Sequence, residues 1–86
     1  MSLLITRLTP LEVKVGWEGR LAIAGSEFGK PGFVSIDGVE LKVESWSATQ
    51  IIIGVTSTVT GRAGTKRLVV HDQDGSFDET TWSVVA

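Results

Sequence analysis

Apolar and polar residues alternate with a period of two along most of this chain, and glycine or small polar residues close each alternating run. That pattern predicts half-buried strands joined by tight turns. Residues 3–8 read as a first strand, stopped at Thr9-Pro10 because proline cannot donate to a ladder. Residues 11–15 form a short alternating piece that leads into the turn Gly16-Trp17-Glu18-Gly19. Over residues 20–24, Leu21 and Ile23 share one face. A turn over residues 25–29 and the corner Lys30-Pro31-Gly32 then precede a third strand at residues 33–37.

After Gly38, the apolar Val39, Leu41 and Val43 alternate with Glu40, Lys42 and Glu44. This predicts one strand over residues 39–43 with three apolar side chains inward and three charges outward. Residues 49–55 place Ile51, Ile53 and Val55 on one face, and the two runs would supply inner faces about 10 Å apart. Threonine, serine and glycine dominate residues 56–64, which reads as a looser connection. Residues 65–71 and 78–85 flank a hairpin centred on Asp74-Gly75, a pair that accepts the positive φ of a type I′ turn. No stretch carries the period of an amphipathic helix. About seven strands with turns every eight to twelve residues or so define an all-β sandwich.

Composition narrows the functional classes. Eighty-six residues suit one domain, residues 1–86, whose small core would bury only about 60% of the unfolded chain's surface. A hydrophobic share of 42% is too high for disorder. Cysteine is absent, which removes disulfides and thiolate metal sites and leaves the redox compartment open. The net charge of −2 is the wrong footprint for gripping phosphates, so nucleic acid is not an expected partner. No apolar run reaches the length of a membrane-spanning helix, so no membrane insertion is expected. The opening Met1-Ser2-Leu3-Leu4-Ile5 lacks the basic head and long apolar stretch of a signal peptide.

Ile5 to Pro10, Gly16 with Gly19, Ile23-Ala24-Gly25 before Phe28-Gly29, and Ser45-Trp46-Ser47 before Thr49 and Ile51 follow one another in a telling order. With Gly64, the run 68–70 and Asp74-Gly75, this pattern resembles the IPT/TIG family of immunoglobulin-like domains over nearly the whole chain. Thr56 stands where the family often has proline, and the cysteines of its plexin-type members are missing. The resemblance implies an immunoglobulin-like β-sandwich acting as a non-enzymatic interaction or spacer module of a bacterial surface protein or virion. An extracellular, cell-surface or virion location follows from the same likeness. Its alternatives are an accessory glycan-binding domain of a carbohydrate-active enzyme and a dimerisation domain of transcription-factor type. A protein partner or neighbouring domains head the list of partners, with a glycan behind them; fold alone does not decide function.

Gly25, Phe28, Gly29, Gly38, Trp46 and Gly75 read as structural, with Trp46 a core or edge tryptophan capping the sandwich and Trp82 buried in the last strand. Trp17, in a turn, is the aromatic that alternation does not send inward; with Glu27 and Phe28 it makes the candidate binding set, at one shared end of the sandwich. Asp72 and Asp74 are weak calcium candidates, since the spacing is not that of an EF-hand and a β-turn explains them. His71, the one histidine, reads as a solvated strand-end residue, which leaves no triad, no zinc site and no catalytic residue. No cofactor is expected. Arg62, Lys66 and Arg67 read as charges protecting an exposed edge.

Overall fold

The computed structural model describes residues 3–86; Met1 and Ser2, where a signal peptide would begin, lie outside them. Nine strands and one helical turn follow in order: β1 (Leu4–Thr9), β2 (Glu12–Lys14), β3 (Gly19–Ser26), β4 (Phe33–Ile36), β5 (Val39–Leu41), β6 (Val43–Trp46), β7 (Gln50–Val55), α1 (Ser57–Thr60), β8 (Gly64–His71) and β9 (Phe77–Val85). They build one sheet in the order β1-β3-β7-β6 and another in the order β2-β9-β8-β4-β5. All pairings are antiparallel except β2 on β9. This is an immunoglobulin-like β-sandwich, whose inner faces alternate with outward polar residues along each strand.

Period two places the core. Leu21 and Ile23 of β3 and Ile51, Ile53 and Val55 of β7 face Val34 and Ile36 of β4, Leu68 and Val70 of β8, and Trp82 and Val84 of β9. Each is almost wholly buried, at about 1.5–3 kcal/mol of transfer free energy for such a side chain. The molecule measures 38 × 19 × 19 Å. Nine extended residues of β9 span about 30 Å at roughly 3.4 Å each, so the strands must run along the long axis.

Three expectations are corrected. Residues 39–43 are not one strand: β5 pairs with β4 in one sheet, β6 pairs with β7 in the other, and the chain changes sheets at Lys42. Leu41 and Val43 both point inward but from opposite layers, while Val39 is 41% exposed on the sheet edge. Alternation records inward and outward, and both layers share the same inside. The two-strand count difference comes from this split and from β2, which adds to β9 as a separate edge strand.

The type I′ turn sits at the other Asp-Gly pair. Asp37 (φ 50°) and Gly38 (φ 82°) join β4 to β5, with Ile36 opposite Val39. At Asp74-Gly75 only the glycine is left-handed (φ 94°). There the Asp72 carboxylate accepts from the backbone N–H groups of Asp74 and Ser76, both at 2.9 Å, and holds a right-handed turn before Gly75. The connection after β7 is also tighter than expected. It contains α1, whose Val59 and Thr60 are buried under the end of the sandwich.

Candidate functional site

Trp17 and Glu27 lie just before and just after β3, at opposite ends of the molecule, so the expected shared binding end does not form. The eight residues of β3 separate them by about 26 Å at ~3.3 Å per residue. Phe28 is wholly buried, which removes its ring from any partner's reach. Glu27 takes a left-handed backbone (φ 57°) that turns the chain so Phe28 can enter the core.

Each end is closed by an aromatic pair meeting edge to face. At the Glu27 end, Phe28 and Trp46 have ring centroids 6.3 Å apart at 63°. The Trp46 indole N–H donates to the carbonyls of Phe28 and Gly29, each at 3.2 Å. A Cβ on Gly25 would fall on the Leu4 carbonyl oxygen and the Phe28 ring, so only glycine lets β1, β3 and Phe28 meet here. At the other end Trp17 and Trp82 lie 6.2 Å apart at 69°. Trp82 is buried and donates from its indole to the Pro10 carbonyl at 2.9 Å.

Trp17 folds back over this end and is half-buried against the core. Its position is held from three sides. The Thr60 hydroxyl donates to its carbonyl at 2.7 Å, and Gly16 N–H donates to the Thr60 carbonyl at 2.8 Å. A Cβ on Gly19 would stand 2.8 Å from the Trp17 ring, so glycine makes room for it. Glu18 accepts from the Ser57 N–H at 3.1 Å and ties the same turn to α1. Beside the ring lies a depression of about 310 Å³ lined by Pro10, Glu12, Val13, Lys14, Trp17 and Val85. Leu11 and Val15 stand exposed around the same short edge strand.

A second surface lies outside the expected residues. Phe33, His71 and Phe77 occupy matching positions on β4, β8 and β9. Their rings stack in a row on the outer face, 4.5 Å and 14° apart for Phe33 and His71, 5.4 Å and 23° for His71 and Phe77. His71 is therefore sandwiched between aromatic rings rather than simply solvated, and the outer two rings remain 41% and 59% exposed. No local motif signals this row, because its members meet only through cross-strand register.

Asp72 is committed to its turn, and Asp74 is exposed. Asp78 faces inward and its carboxylate accepts from the Ile5 N–H at 2.9 Å, linking the two sheets. Among the described residues no group of three or more His, Asp or Glu side chains is arranged to hold a metal. The basic residues Lys66 and Arg67 do not guard a sheet edge as expected, because β8 is an interior strand between β9 and β4. Lys66 reaches Asp37 at 3.8 Å and Arg67 reaches Glu79 at 3.6 Å, from neighbouring positions whose side chains leave opposite faces of β8.

No family model matches the chain, and no curated protein matches it. Solved structures do. A gamma-CGTase from Alkalophilic bacillus clarkii is similar over 96% of this chain, with a TM-score of 0.80 and 25% identity. A putative phosphatase from Bacteroides thetaiotaomicron is similar over 98%, at 0.70 and 23%. An auxiliary nutrient binding protein from Bacteroides ovatus is similar over 94%, at 0.61 and 19%. The last two likenesses bear on the fold alone. This chain spans only 12%, 18% and 19% of the three neighbours' lengths, so it matches a small part of each.

Proposed function

We propose that this chain is a non-enzymatic accessory module of the IPT/TIG type, serving a larger protein by binding carbohydrate. The observation that carries this reading is the superposition of 96% of the chain on only 12% of the gamma-CGTase. A fold that recurs as a small fraction of a larger enzyme, and again in a nutrient-binding protein, is compatible with an accessory carbohydrate-binding domain. Half-exposed and exposed aromatic side chains on a rigid sandwich supply the apolar faces that sugar rings stack on.

Affinity electrophoresis tests it: the domain is run through gels containing soluble α-glucan, β-glucan, xylan or mannan. Retarded migration in at least one gel is the expected result. Migration unchanged in all of them would remove the carbohydrate reading.

A second reading, the spacer of a surface or virion assembly, is favoured by the path of the chain. Leu4 pairs with Ser26 at one end, whereas Val85 lies beside Lys14 at the other. Flanking domains would then be held apart by the long dimension of 38 Å. A protein that binds no glycan yet keeps its neighbours at a fixed separation in small-angle scattering would support this second role.

A further inference from the structure

We propose that the depression beside Trp17 is a sugar-binding site that takes one neutral pyranose unit of an oligosaccharide. The inference rests on the carbohydrate-binding reading and names its site. Trp17 differs from the other two tryptophans in one respect. The indoles of Trp46 and Trp82 both donate to backbone carbonyls, whereas among the described residues the Trp17 indole N–H has no partner. Its backbone is nonetheless tied to Thr60, and its ring packs against Gly19 and edge to face on Trp82. An ordered aromatic face with an unused donor is a pre-organised recognition element, because little rotamer freedom is left to lose on binding.

The rim supplies the complement. Glu12 and Lys14 leave the same side of β2, two positions apart, and among the described residues neither has an ion-pair partner. One offers acceptors and the other donors, and their charges cancel. A charged ligand would be drawn to one and repelled by the other, whereas a neutral polyol can hydrogen-bond to both. Pro10, Val13 and Val85 line the remainder with apolar surface suited to sugar C–H groups. At about 310 Å³ the depression stands at the small end of ligand sites, which run from about 300 to 1,000 Å³. That favours a single ring or the end of a chain over a long glycan laid flat. Strand addition by a peptide is the competing use of this edge, and the exposed charges of β2 oppose it.

The test titrates the domain with short glucose, xylose and mannose oligosaccharides and follows tryptophan fluorescence and heat of binding. Parent, Trp17→Ala, Trp17→Phe, Glu12→Gln/Lys14→Met and Phe33→Ala/Phe77→Ala are compared, with a thermal melt for each. Binding that weakens about tenfold or more in Trp17→Ala, and less in Trp17→Phe, is expected. Should Trp17→Ala fail to fold, the Glu12→Gln/Lys14→Met protein decides, since those side chains are exposed: it should melt like the parent and lose affinity. Parent-like affinity in a folded Trp17 or rim variant, with loss in Phe33→Ala/Phe77→Ala, would move the site to the aromatic row and leave the accessory reading standing. Absence of any response, together with unretarded migration in every gel, would overturn both. Capture of a peptide by the parent, abolished in Trp17→Ala without any sugar response, would overturn the ligand assigned here.

Discussion

The two ends of the sandwich are closed by the same device, used in opposite senses. At each end a fully buried ring meets a half-buried one edge to face. At the Glu27 end the outer ring, Trp46, is tethered by its indole to two carbonyls, and the inner Phe28 has no polar atom to satisfy. At the α1 end the inner ring, Trp82, carries the tether to Pro10, and the outer Trp17 keeps its donor. One end is therefore finished internally, while at the other the outer indole has no hydrogen-bond partner among the described residues and its ring lines a depression. The difference teaches that two tryptophans of similar burial can do different work, and that the fate of the N–H separates them.

The largest test of this contrast is Trp82→Ala. Removing a wholly buried tryptophan should cost about 3–5 kcal/mol, a large share of a small domain's stability. Urea unfolding should show it, and a loss under about 1 kcal/mol would mean the α1 end is not anchored by Trp82. Trp46→Ala comes next, at about 2–3 kcal/mol, since the ring is half-exposed but its removal also strips a partner from two carbonyls. Trp46→Phe isolates the tether and should cost about 1 kcal/mol; a Phe variant as damaged as the Ala variant would show that the indole's shape matters more than its hydrogen bonds.

Trp17→Ala should fall below Trp46→Ala, near 1–2 kcal/mol, because its ring packs on the core without a polar tether. A loss equal to that of Trp82→Ala would make Trp17 purely a packing residue and erase the contrast between the ends. The smallest effects belong to the turns. Gly38→Ala and Gly75→Ala should each cost about 1 kcal/mol through the left-handed backbone they require. Comparing Asp37→Ala with Asp72→Ala sharpens this further. Asp37 accepts from the Arg67 N–H at 2.9 Å, whereas Asp72 accepts two N–H groups, so Asp72→Ala should destabilise more in the same denaturant assay.

Much of the fold was legible because period-two alternation directly reports burial. Ile51, Ile53 and Val55 in β7, or Leu68 and Val70 in β8, declare their faces without help from the rest of the chain. What alternation cannot report is which layer a strand joins. The run Val39, Leu41, Val43 satisfies one inward face whether it lies in one sheet or crosses between two, and Lys42 carries no mark of the crossing. Turn chemistry was ambiguous for a related reason. Two Asp-Gly pairs look alike locally, and only the Arg67 backbone beside Asp37 and the Asp72 carboxylate beside Asp74 separate them.

The candidate site was half legible. Trp17 stood out as an aromatic in a turn, yet its partners Trp82, Thr60 and Val85 come from distant parts of the chain. Phe28 misled because the motif containing it reads as a loop, whereas Glu27 turns the backbone and sends the ring inward. The row of Phe33, His71 and Phe77 was invisible, since three separate strands contribute one ring each.

The four edge strands occur in consecutive pairs. β1 passes to β2 across Pro10 and Leu11, and β5 passes to β6 across Lys42 alone. Both long sides of the sandwich are therefore hemmed by unbroken chain that runs from one layer to the other. A sandwich joined only at its ends could open like a book along one side, admitting water between the sheets while the opposite side stayed shut. Here neither side can act as the fore-edge or as the spine. Exposure of the core requires whole strands to leave their ladders, so hydrogen exchange at Ile53 and Val70, in opposite layers, should share one opening free energy.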